Sequence, residues 1–188
     1  MIENDELLVS AAQKGSKKAF EQLIDMYADK IYNMCYYISK NKSEADDLFQ
    51  EVIIKVYKYL KGFDGKSKFS TWLYRITTNH CIDRIRHYDR VSFFSLDKAD
   101  EDGLELITKM SDKSPGPAEE AQKQDTIQKL GLAIETLSPI QKTIVLLRYS
   151  EDKPLKEIAQ ICRCTVGTVG SRLDSAMKKL KKYLKLNP

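Results

Sequence analysis

Between positions 48 and 60 the apolar side chains Leu48, Phe49, Val52, Ile53, Val56, Tyr57 and Leu60 fall at offsets 0, 1, 4, 5, 8, 9 and 12. That spacing is the 3.6-residue period of one helical face, and it excludes the two-residue alternation of a strand. The same period recurs elsewhere. Leu7, Leu8 and Ala11 carry it near the start, and Phe20, Leu23, Ile24, Tyr27, Ile31 and Met34 carry it across 19–37. Strand signals are nearly absent, so an all-α fold is expected.

Local punctuation divides the helices. Ser43 with Asp46 reads as a capping box for the 48–60 helix, and Gly62 ends it. Residues 63–69 read as a loop, and Ser70 is expected to cap a helix running to about His87. Residues 92–122 lose periodicity, contain Pro115 and Pro117, and are acidic. Ser138, Pro139 and Gln141 form a strong helix start. Lys153 and Pro154 break the chain, and Leu155, Ile158, Ala159 and Cys162 share one side of a short helix. A turn around Arg163 to Thr165 follows. A helix opening at Val166 then carries Val169, Leu173, Ala176, Met177 and Leu180 inward. Two short helices about a tight turn form a helix-turn-helix. The expected architecture is two helical domains, 1–91 and 123–188, joined by a flexible acidic linker, 92–122.

Charge follows this division. Residues 97–125 hold nine acidic and four basic side chains, whereas 153–188 hold nine basic and two acidic. A basic end suits a polyanion. No apolar run is long enough to cross a bilayer, and the first residues lack a signal-peptide layout, so a cytoplasmic location is expected. There Cys35, Cys81, Cys162 and Cys164 are expected to be reduced and structural. Cys162 and Cys164 lack the second ligand pair of a zinc site, and neither metal nor cofactor is expected. No phosphate-binding glycine loop or nucleophile–base pair appears, which argues against an enzyme.

Three constellations remain. On the last helix Thr168, Gly170, Ser171, Arg172, Asp174 and Ser175 face outward, with Lys178 beyond them, as on a helix that enters a major groove. On the 48–60 helix Asp47, Gln50, Glu51, Ile54 and Lys58 line a stripe suited to a basic helical partner. On the helix after the loop, Trp72, Arg75, Asn79, Asp83 and Arg86 share one side, with Phe69, Leu73, Ile76, Thr77 and His80 on another. Beside it the loop offers Lys66, Ser67 and Lys68. Aromatic and basic groups together suit single-stranded DNA. Each has a plainer alternative: a helical hairpin, a solvated face, and a tryptophan that belongs to the core.

Asp46-Asp47-Leu48-x-Gln50-Glu51, then Phe69-x-Thr71-Trp72-Leu73-Tyr74-Arg75-Ile76-x-x-Asn79, then Asp83-x-x-Arg86, resemble the second conserved region of an extracytoplasmic function (ECF, group IV) sigma factor. Leu155-x-Glu157-Ile158-Ala159 and Val166-Gly167-Thr168-Val169-x-Ser171-Arg172-Leu173 resemble the family's fourth region. The resemblance implies a transcription initiation factor that brings core RNA polymerase to promoters and helps open them. It implies that Asp47, Gln50 and Glu51 bind the β′ clamp coiled coil, with the β subunit as a further contact. It implies that the loop from Phe63 to Ser70 and Asn79 capture a flipped −10 base, with Lys68, Trp72, Arg75 and Arg86 around it. The helix from Val166 would read the −35 element. An anti-sigma partner, often membrane-anchored in this group, is implied, and no stable homo-oligomer is expected. Gly170 and Ser175 stand where relatives often carry basic residues. A stand-alone helix-turn-helix regulator would explain the C-terminal half only.

Overall fold

The computed structural model describes residues 2–39, 41–92 and 129–186, so almost all of the expected linker lies outside the described residues. Every regular element among the described residues is helical, as the periodicity requires. The helices are α1 (Ile2–Gln13), α2 (Lys17–Asp25), α3 (Ala28–Ser39), α4 (Lys42–Leu60), α5 (Phe69–Ser92), α6 (Pro139–Tyr149), α7 (Leu155–Ile161) and α8 (Val166–Leu186). Residues 129–135 are helical as well.

Caps explain several of the boundaries. Gly15 takes φ 98, a left-handed conformation that costs glycine little, and Ser16 then accepts from the Ala19 N–H to start α2. The apolar period runs through 19–37, yet the helix breaks at Met26 and Tyr27. The break aims the Tyr27 hydroxyl at Asp5 Oδ2, at 2.5 Å, so a long-range contact overrides the local pattern. Asn41, not Ser43, caps α4: its Oδ1 accepts from the Glu44 N–H at 2.7 Å. Ser70 lies inside α5 rather than capping it, because the Lys68 carbonyl already accepts from the Trp72 N–H. The Ser138 capping box forms with Gln141, and Pro139 occupies the first turn.

In the α4 face Ala45, Leu48, Val52, Val56 and Leu60 are buried and Phe49 and Ile53 partly so. Tyr57 departs from the expectation at 57% exposure, with its ring edge against Phe20. With Leu23, Ile31, Met34, Ile38, Leu73 and Cys81 this face forms the core of the α1–α5 half. Cys35 and Cys81 are buried free thiols there, Sγ to Sγ 3.7 Å. Hydrogen bonding to Cys35 and burial push the Cys81 thiol far up, so it behaves as a small apolar side chain.

The two halves pack together. α6 and α7 lie against α3 and α5, and Ile144, Leu147, Ile158, Ala159, Ile161 and Val169 join the same buried cluster as the N-terminal core. A second, smaller cluster of Ala133, Leu137, Ala176 and Leu180 belongs to the C-terminal half alone. No helix among the described residues is long and apolar enough to cross a membrane.

Candidate nucleic-acid and polymerase interfaces

α7, the turn and α8 form the expected helix-turn-helix. The turn is tight because Arg163 adopts φ 50 and the Cys164 N–H returns to the Ala159 carbonyl. Thr165 then accepts from the Thr168 N–H at 3.1 Å and opens α8. Val169, Ala176 and Leu180 are buried, as expected, and that leaves Ser171, Asp174, Ser175 and Lys178 exposed, with Thr168, Gly170 and Arg172 at the margin. Several of these groups have partners. Thr168 shares a hydroxyl contact with Thr165, and Ser175 accepts from Gln141 Nε2 at 3.3 Å. Lys178 pairs with Asp174 at 2.7 Å. A Cβ on Gly170 would meet nothing within 4 Å. Burial and the neighbouring Cys164 push the Cys162 thiol up to about 12.

On α4, Asp47, Gln50, Ile54 and Lys58 are exposed along one stripe, Ile54 at 54%. Glu51 is half-exposed and reaches toward α5. Its Oε1 accepts from Arg84 at 2.7 Å and its Oε2 meets His80 Nε2 at 2.6 Å, so it brackets α4 to α5. His80 Nδ1 lies 2.7 Å from Lys55 Nζ. Burial depresses the His80 ring below its ordinary value, Glu51 opposes this, and Lys55 and Arg84 add to it. A neutral ring that donates through Nε2 and accepts at Nδ1 satisfies both neighbours. Sequence spacing placed His80 on the core face; the bracket it completes was not legible there.

The α5 residues divide differently from the helical wheel. Trp72 is 7% exposed and packs with Phe63 and Phe69, ring centroids 5.2 and 5.7 Å away. It is therefore part of an aromatic cluster under the loop, not of the open face. Arg75 and Asn79 are half-buried, and Asp83 and Arg86 are exposed. Thr71 and Tyr74, which the wheel left unassigned, are buried beneath the C-terminal half. Tyr74 donates to Glu151 Oε2 at 2.6 Å, and Lys30 reaches the same oxygen at 3.1 Å. Thr71 donates to Glu157 Oε1, and Lys153 pairs with Glu157 at 2.8 Å while lying over the Tyr74 ring. Burial, then the bond to Glu151, drives the Tyr74 phenol far up. Burial pushes Glu157 up, but the bonds from Lys153 and Thr71 outweigh it and hold the carboxyl below its ordinary range.

The loop before α5 borders a cleft of about 840 Å³. α1 contributes Asp5, Glu6, Ser10 and Gln13, the α2–α3 turn contributes Tyr27, the loop contributes Phe63 through Lys68, and the start of α5 contributes Phe69 and Ser70. Gln13 fixes the loop's start by donating to the Leu60 and Phe63 carbonyls. Lys66, Ser67 and Lys68 all line the cleft, and Lys66 also pairs with Asp64 at 2.9 Å. Asn79 is not among the lining residues. It sits ten residues into α5, about 15 Å along the axis from Phe69.

Two family models match: Sigma-70 region 2 over residues 23–91 and Sigma-70, region 4, over 127–180. The chain is 33% identical to the ECF RNA polymerase sigma factor SigW of Bacillus subtilis, over 94% of this chain and 95% of that one. The chain belongs to the ECF RNA polymerase sigma factors. It is also 31% identical to the ECF RNA polymerase sigma-E factor of Haemophilus influenzae, over 94% of this chain and 93% of the relative. In fold it resembles the sigma factor RpoE solved with the anti-sigma factor NepR from Bartonella quintana, with a TM-score of 0.69 and 20% identity. That match covers 91% of this chain and 99% of the other. It likewise resembles CnrH solved with the cytosolic domain of CnrY, with a TM-score of 0.67 and 20% identity over 98% and 99% of the two chains. This sigma factor is thus a transcription initiation factor that binds core RNA polymerase and promoter DNA.

Proposed function

We propose that this sigma factor docks on the β′ clamp coiled coil through the exposed α4 stripe of Asp47 and Gln50, with Glu51 acting mainly by holding α4 against α5. The division of labour follows the boundaries 1–91, 92–122 and 123–188. The first unit takes the −10 element, with Lys66, Ser67 and Lys68 at the cleft and Arg75, Asn79 and Arg86 along α5. The last presents Thr168, Ser171, Arg172, Ser175 and Lys178 of α8 to the −35 element. Trp72 supports the loop from beneath while the two halves are closed. The protein is non-catalytic and acts in the cytoplasm.

The observation that carries this reading is the junction of an exposed polar α4 stripe and a basic-edged loop cleft with a helix-turn-helix. A simple repressor has no use for the first two. The closed packing covers part of α5 but leaves α8 outward, so it masks the −10 side more than the −35 side. Core polymerase would compete with that packing. An anti-sigma factor would reinforce it, as fits a fold shared with sigma factors solved alongside such partners. Run-off transcription with core polymerase on genomic fragments tests the reading and yields the promoter. Failure to form a stoichiometric complex with core polymerase would remove it in favour of a stand-alone DNA-binding regulator.

A further inference from the structure

The contact between the two halves is built around two carboxylates. Tyr74 donates to Glu151 Oε2 at 2.6 Å, and Lys30, half-exposed at the rim, reaches the same oxygen at 3.1 Å. Thr71 donates to Glu157 Oε1 at 2.7 Å, and Lys68 adds a positive charge near that carboxylate. From the α1–α5 half, two hydroxyls and two lysines thus converge on two acidic groups, and bonds of this charge-assisted kind are short and strong. The acidic pair rides on one segment, six residues apart. Much of that segment's shape is local. Asp152 takes φ 48, the Glu151 and Lys153 N–H groups return to the Leu146 and Leu147 carbonyls, and Arg148 donates to the Lys153 carbonyl. The receiving groups Lys30, Thr71 and Tyr74 stand on α3 and α5, which share one core, so they stay together when the halves separate.

We propose that this α3–α5 surface is a dock for an acidic protein segment, which Glu151 and Glu157 fill in the closed protein as built-in stand-ins. A partner segment carrying two carboxylates at similar spacing takes their place and holds the halves apart. The inference rests on the reading that a partner can displace the closed packing. The charge favours protein over nucleic acid. Lys30 and Lys68 match two carboxylates, whereas a nucleic-acid strand gains affinity by setting a cation against each of many phosphates.

Energy transfer between dyes on α4 and α8 reports closure in the full-length protein and provides the test. A synthetic peptide of residues 146–161 carries both carboxylates, with Leu147, Ile158 and Ile161 of the shared core. Added in solution, it should lower energy transfer saturably. The same peptide with Glu151→Gln and Glu157→Gln should need at least about tenfold more, as expected from losing bonds between hydroxyls and charged acceptors. Protein carrying Thr71→Val and Tyr74→Phe should respond to the two peptides alike. No loss of energy transfer at millimolar peptide would make the surface a permanent interface and overturn the dock. Equal opening of the parent by both peptides would overturn it too. Opening by an oligothymidylate and not by the peptide would assign the surface to nucleic acid instead. Core polymerase added to the parent checks the underlying reading separately: opening by polymerase but not by peptide removes the dock alone, and opening by neither removes both. The peptides are compared on the parent, so the test remains decisive if the double variant fails to fold.

Discussion

Thr71 donates its hydroxyl to Glu157 Oε1 at 2.7 Å, joining residues 86 positions apart. Three residues along α5, Tyr74 makes the matching bond to Glu151. These two buried hydroxyls and two carboxylates tie the α1–α5 half to the helix-turn-helix half. Any state that presents this part of α5 to DNA or polymerase must break both.

Removing the hydroxyls should loosen closure. Hydrogen bonds to charged groups contribute about 1.5–3 kcal/mol each when well formed. Thr71→Val combined with Tyr74→Phe keeps shape and deletes both donors. The free double variant should populate an open form, read as lower energy transfer between dyes on α4 and α8. Its apparent affinity for core polymerase should rise, because the competent fraction is larger. Unchanged energy transfer would mean that apolar packing alone sustains the closed form.

The fold should also weaken in acid. Glu157 sits below its ordinary value of 4.5 in the folded protein: burial raises it, but the bonds from Lys153 and Thr71 to the carboxylate outweigh this. A lowered carboxyl supports the fold fully above pH 4.5, and that support is lost as the pH falls through the lowered value. Glu157→Gln should flatten the low-pH part of a series of thermal melts.

His80 acts in a higher window. Its folded value lies below the ordinary 6.5, so the unfolded chain binds the extra proton first. Stability is complete above pH 6.5 and declines as the pH falls through the depressed value. Thermal melts of the parent should shift downward between neutral pH and mild acid. His80→Gln, which can still donate to Glu51, should shift less.

Asp47 and Glu51 should separate docking from folding. Glu51→Ala strips Arg84 and His80 of a shared acceptor and should lower stability by about 1 kcal/mol, with solvent screening at this half-exposed site included. Asp47→Lys alters an exposed position and should leave the melt unchanged while weakening capture of core polymerase. Equal loss of capture without loss of stability in both variants would return Glu51 to the docking surface.

Gly170 gives a gain-of-function test. Nothing lies within 4 Å of its would-be Cβ, so Gly170→Lys should fold, and helix propensity favours it by about 0.5–1 kcal/mol. If α8 tracks the DNA backbone, the added cation should steepen the slope of log affinity against log salt by about 0.9. An unchanged slope in holoenzyme–promoter binding would place position 170 away from phosphate.

Helical period and capping are local properties, so the helical character of the chain, the helix-turn-helix and the Ser138 cap were legible from residue order. It also carried the motifs that assign the family. Long-range packing settled that Asn41 rather than Ser43 caps α4, that the helical pattern of 19–37 breaks at Met26 and Tyr27, and that Tyr57 stays exposed. It alone engaged Glu51 with Arg84 and His80 and buried Trp72. α5 shows why. It has apolar or small residues around much of its circumference, so its sequence signals burial without saying against what. Phe63 covers one part from six to nine residues upstream, whereas Glu151 and Glu157 cover another from about 80 residues downstream. A helical period fixes which way each side chain points, but the partner that meets it is set by how distant helices pack.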